Sequence, residues 1–103
     1  MAVNWRGTRE YRVWRVTVIR RDKVCVVCGE KKGRQAHHKN SGQYFPKERF
    51  VPSNGVTLCS GCHTKYHCDY HRSFREKCTE YDFQNFTKLY IYLIEIGKKM
   101  GDT

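Results

Sequence analysis

Proline is scarce in this sequence, with Pro46 and Pro52 the only two in 103 residues. Pro/Gly/Ser-rich linkers, internal repeats and low-complexity tracts are missing as well. Their absence excludes a repeat array or a string of linked modules and predicts one continuous domain, residues 1–103. Long apolar runs are also lacking. None can span a bilayer, and Met1 to Arg6 has no secretory apolar stretch, so the expectation is an intracellular, cytoplasmic protein with no membrane partner. Apolar residues make up only 39% of the chain, which predicts a thin core that something other than burial must help to hold.

Acidic residues are few, 10 against 20 Lys and Arg, for a net charge of +10 with histidines neutral. The imbalance is local. Residues 1–67 carry fourteen Lys/Arg and four Asp/Glu, whereas residues 68–103 carry six of each. A basic region of this kind favours a polyanion, because each phosphate contact releases condensed counterions.

Three segments frame the chain: a basic N-terminal helix within 1–23, a central region 24–71 and a C-terminal helix over 79–99. In the first, Tyr11, Trp14 and Val18 fall at amphipathic spacing, although the β-branched Val13, Val16, Thr17, Val18 and Ile19 argue against a helix. Gln35–Lys39 and Gly55–Cys59 read as short strands. The loop between them, 40–54, is long enough to imply a task of its own. Ser60 is placed to cap a helix running through His63 and His67. Thr79 and Asp82 form a capping-box pair, with Phe83, Phe86, Tyr90, Leu93 and Ile94 as the apolar face of the last helix. That face suits either the chain's own core or a two-fold interface, so monomer and homodimer both stay open.

Six cysteines are the candidates for support of the thin core. Cys25-x2-Cys28, followed by Gly29 for the tight turn, and Cys59-x2-Cys62 are two pairs at the spacing that brings four thiolates onto one structural zinc ion. Thirty residues separate them, so a substantial insertion lies between the knuckles. Cys68 and Cys78 are left over. With His71 they make an unconvincing ligand spacing and read better as partly buried free thiols.

Histidine concentrates in and after that insertion. His63 and His67 are four apart on a predicted helix and share one face, an arrangement by which two imidazoles hold one cation. His37 and His38 are adjacent on a predicted strand and point to opposite sides, so only one can join them. A metal on a phosphate, beside a neutral imidazole that can take a proton from water, is a minimal phosphodiesterase.

The run Ala36-His37-His38, then Asn54-Gly55-Val56-Thr57-Leu58-Cys59-Ser60-Gly61-Cys62-His63 and His67, resembles the HNH endonucleases of the ββα-metal fold. It looks most like small free-standing bacteriophage HNH proteins with a four-cysteine zinc site, over roughly residues 11–90. The resemblance implies an α+β fold: a zinc-stabilised ββα-metal (His-Me finger) domain with flanking N- and C-terminal helices. It implies a phage-encoded enzyme, active in a bacterial host, that hydrolyses DNA phosphodiester bonds by nicking or double-strand cleavage. His38 is then the general base and His37 a metal ligand. His63 is a second metal ligand at the scissile phosphate, Asn54 holds His38 across the loop, and His67 is a third ligand as in part of the family. Imidazole ligands favour zinc, nickel or manganese, whereas the resemblance allows magnesium or manganese. Lys39, Lys47, Arg49, Lys65, Arg72 and Arg75 are candidate phosphate contacts. The competing reading is a non-catalytic zinc-ribbon DNA-binding module, which leaves the histidines without a role. A nucleobase deaminase is excluded, since the chain lacks His-x-Glu followed by Pro-Cys-x2-Cys.

Overall fold

Helix α1, Arg9–Asp22, forms in spite of its β-branched residues, because its inward face packs on the sheet and tertiary burial outweighs propensity. Thr8 caps it by accepting a hydrogen bond from the Tyr11 N–H at 3.2 Å. Glu10 lies in its first turn and Arg20 and Arg21 in its last, each with the sign the helix dipole favours. Lys23 ends it at φ 68, with its N–H donating to the Ile19 carbonyl at 2.8 Å. In this computed structural model residues 4–66 and 78–101 are described. A 3₁₀ turn at Trp5–Gly7 precedes α1. After it come β1 (Gln35–His38), a 3₁₀ turn at Pro52–Asn54, β2 (Gly55–Leu58), the short α2 (Ser60–Thr64) and the long α3 (Glu80–Gly101).

The strands pair antiparallel, His37 opposite Val56 and His38 opposite Gly55. The architecture is α+β, as expected. Successive side chains alternate between the two faces of the sheet. On one face Thr57 and Gly55 meet α1: the Thr57 hydroxyl donates to the Val18 carbonyl at 3.4 Å, and Trp14 and Val18 are buried there. On the other, Leu58 joins Cys25, Val27, Cys59, Cys62, Tyr66, Cys78, Phe83 and Phe86 in one apolar cluster.

Polar ties set the sheet against its surroundings. The Asp22 carboxylate accepts from the Thr57 N–H at 2.8 Å and pairs with Arg21 at 2.9 Å. Arg21 also donates to the carbonyls of Pro52 and Gly55, at 2.9 and 2.6 Å. Burial pushes the Asp22 carboxyl upward, but the bonds from Arg21 and Thr57 outweigh it and hold the group below the ordinary range.

Two expectations need correction. Cys59, not Ser60, caps α2: its extended backbone ends β2, and its Sγ accepts from the Cys62 N–H at 3.4 Å. Leu93 is 47% exposed, because it lies at the edge of the face by which Phe83, Phe86, Tyr90 and Ile94 meet the small core. The Thr79 and Asp82 capping box is present, with the Thr79 N–H donating to the carboxylate at 2.9 Å and the Asp82 N–H returning to the hydroxyl at 3.3 Å. Among the described residues no helix is long and apolar enough to cross a membrane.

Gly55 marks the closest approach of helix and sheet. A Cβ there would run into Val18 and lie 2.8 Å from the Trp14 ring. Gly55→Ala is expected to destabilise the fold by about 1–3 kcal/mol through overpacking, read as a lower denaturation midpoint. An unchanged midpoint would show that α1 does not press on β2.

Candidate metal and histidine site

The knuckles converge as their spacing predicts. Gly29 sits at φ 81 after Cys28, the Gly29 N–H donates to the Cys25 carbonyl at 2.9 Å, and the Val26 N–H donates to the Thr57 carbonyl at 3.0 Å, tying the first knuckle to β2. The sulfurs of Cys25, Cys28, Cys59 and Cys62 lie within 4.8 Å of one another, and those of Cys28 and Cys59 are 3.6 Å apart. Tetrahedral zinc with bonds of about 2.3 Å sets its sulfurs about 3.8 Å apart, so the four fit one ion. Burial first, and then the neighbouring sulfurs, push the Cys62 thiol up. Four thiolates would close the shell of an ion held here, so such a centre would staple the fold and offer no open position for chemistry.

β1 separates the two adjacent histidines. His37 is buried on the α2 and α3 side, its ring 5.3 Å from that of His63, 4.8 Å from Tyr66 and 5.4 Å from Phe83. Two imidazoles on one ion, with metal–nitrogen bonds of about 2.0–2.1 Å, have ring centres about 5 Å apart, a separation that the His37 and His63 rings match. Burial lowers the pKa of His63, which keeps a lone pair on the ring for such an ion. His67, expected as a third ligand, lies outside the described residues, as do Cys68, His71, Arg72 and Arg75.

His38 turns the other way, into an aromatic box. Its ring stacks on Trp14 at 3.9 Å and 8°, with Trp5 edge-on at 5.3 Å and Tyr11 at 6.4 Å. Its Nε2 is 2.8 Å from the Arg49 carbonyl oxygen. A carbonyl only accepts, so Nε2 carries the hydrogen and Nδ1 holds the lone pair. Burial first, with the positive charges of Arg6 and Arg49 acting in the same direction, drops the His38 pKa to about 4, against the opposing pull of the Arg49 carbonyl. The ring is therefore neutral at physiological pH.

Asn54 sets the loop that supplies this carbonyl. Its Oδ1 accepts from the Asn40 N–H at 2.9 Å, and its Nδ2 donates to the carbonyls of Asn40 at 2.9 Å and Glu48 at 3.3 Å. The Lys39 N–H meets the Asn54 carbonyl at 2.8 Å, so the two ends of the loop close on one another directly after the sheet. Asn54 thus fixes Glu48, the residue before the one that holds His38.

The expected phosphate contacts have varied surroundings. Lys47 and Lys65 are exposed, Lys39 pairs with Glu80 at 3.3 Å, and Arg49 lays its guanidinium 4.8 Å over the Trp5 ring while its Nε donates to the Gly42 carbonyl. Sequence reasoning missed the box around His38 and the role of Arg6, whose guanidinium sits 4.1 Å over the same Trp5 ring. Nothing in the residue pattern encodes a backbone carbonyl as the partner of His38.

Purified protein is expected to carry one tightly held zinc per chain by elemental analysis, and a strong chelator should abolish cooperative unfolding. Retained cooperative unfolding without metal would exclude a structural role for the four sulfurs. In nitrogen-edited NMR at pH 6, His38 should appear as a neutral Nε2–H ring, and the sign of its effect on stability follows. The unfolded chain takes up the proton near pH 6.5 and the folded one only near pH 4, so His38 should cost stability as pH falls across that window. A His38 ring that is protonated at pH 6 would contradict this.

No family model, curated protein or solved structure matches the chain.

Proposed function

We propose that this protein is a metal-dependent DNA endonuclease of the HNH, ββα-metal type. The observation that carries the reading is the division of the His37–His38 pair across β1. One imidazole meets His63 at metal-sharing distance, and its neighbour is held as a neutral ring with a fixed tautomer. The four-sulfur site and the basic charge of residues 1–67 support the same reading, the first by stiffening a small sheet and the second by favouring a polyanion.

His37 and His63, with His67 as the further ligand the motif suggests, would hold a divalent cation, which would supply Lewis-acid stabilisation of charge on the scissile phosphate and the leaving oxygen. Magnesium or manganese, and also zinc or nickel, suit that position. The chain's own residues do the proton work. With Nε2–H committed to the Arg49 carbonyl, Nδ1 of His38 is the nitrogen that takes a proton from the attacking water. Trp14 keeps the imidazole plane fixed, and Asn54 keeps the carbonyl in place through Glu48. Arg6 and Arg49 surround His38 with positive charge that favours a phosphate next to it.

The test is incubation with supercoiled plasmid and each of these cations. Wild type should convert the plasmid to nicked or linear product. His38→Ala should lose about 100-fold or more of the rate while keeping its zinc and its DNA affinity. Failure of wild type to cut with any of the four cations, while still binding duplex, would establish the non-catalytic zinc-ribbon binding module instead.

A further inference from the structure

Away from the histidines, α1 and the loop after the first knuckle enclose an open groove of about 490 Å³, lined by Arg15, Val16, Ile19, Arg20, Lys31, Gly33 and Arg34. Four of these seven residues are cations and none is acidic. Among the described residues, none of the four is in an ion pair with a carboxylate. Within the loop, Glu30 is turned to the backbone: its carboxylate accepts from the N–H groups of Lys31 and Lys32 at 2.9 and 3.0 Å. The loop is held in shape. Gly33 is at φ 66, and a Cβ there would come within 2.8 Å of the Ser60 hydroxyl. Arg34 donates to the Lys23 carbonyl at 2.7 Å, which ties the groove's far wall to the end of α1.

We propose that this groove holds the DNA backbone that flanks the scissile phosphate, as a second contact surface distinct from the His38 side of α1. The inference rests on the reading of DNA as the substrate. Charge decides for a polyanion: four cations lining one groove without a carboxylate partner repel one another, and phosphates relieve that repulsion while releasing counterions. Spacing decides for a backbone over an isolated anion. Arg15 and Arg20 are about 7.5 Å apart along the helix axis, a length that takes in about two phosphates of one strand. Val16 and Ile19 give the floor an apolar surface for sugar edges. Helix α1 then works on two flanks: Trp14 positions His38, and Arg15 and Arg20 anchor the same duplex.

The experiment is fluorescence anisotropy with a labelled duplex of about 20 base pairs, titrated at several salt concentrations without added divalent cation so that the DNA stays intact. The variant is Arg15→Gln/Arg20→Gln/Lys31→Gln, which leaves Arg34 in place. Zinc content and circular dichroism confirm that it is folded. Its affinity should fall at least about tenfold near 0.1 M salt, and the slope of log affinity against log salt should shrink by about 2 to 3, at about 0.9 for each phosphate no longer neutralised. Lys88→Gln, on exposed α3, should change the slope by far less. Unchanged affinity and slope in the triple variant would overturn the proposal. So would a loss confined to an acidic polypeptide of poly-glutamate with duplex binding retained, which would mark the groove as a protein-docking surface. If wild type binds duplex through the groove yet never cuts plasmid, only the nuclease reading falls. If it cuts with no dependence on the groove, only this inference falls.

Discussion

Two strands of four residues cannot hold their own register, since an isolated two-stranded ribbon is marginal in water. Here the register is imposed from both ends. At one end β2 runs directly into Cys59, whose sulfur clusters with those of the first knuckle, and the Val26 N–H on the Thr57 carbonyl ties that knuckle to the strand. At the other, Asn54 closes the long loop onto Asn40 immediately after the sheet. A slip of one residue would exchange the two faces, sending His38 toward His63 and His37 toward Trp14. Everything proposed for the histidines depends on that slip being prevented.

The two faces create two different environments from one residue type. His37 and His63 share a buried aromatic layer with Tyr66 and Phe83, and burial lowers the pKa of His63, which keeps a lone pair on its ring. His38 stands between α1 and the loop, against Trp14, with its donor nitrogen on a carbonyl and two guanidiniums close by. The proposed chemistry rests on this contrast, with one imidazole as ligand and its neighbour as base.

Much of this was legible in the residues. The Cys-x2-Cys spacings located the four-sulfur cluster, strand alternation located the split of His37 and His38, and Thr79 with Asp82 located the start of α3. Where the sequence misled, the causes are physical. Cys59 took the cap from Ser60 because a thiol at the strand's end can accept the same N–H as a hydroxyl. Leu93 kept helical spacing but emerged into solvent, since periodicity records a face and not how wide a strip of it a small core covers; Ile94 beside it still packs inward. The β-branched run in α1 was overridden by burial of Trp14 and Val18. The Arg49 carbonyl was invisible because backbone partners leave no trace in residue identity. Arg6 and Trp5 come to His38 from the chain's first turn, a long-range contact that no local pattern marks.

The central claim is the division of labour between His37 and His38, and pulsed EPR of bound Mn²⁺ reads it most directly through nitrogen couplings from coordinated imidazole. Wild type and His38→Ala should both show histidine nitrogen coupling, and His37→Ala should weaken or lose it. Coupling that survives His37→Ala but disappears in His38→Ala would contradict the assignment of ligand and base.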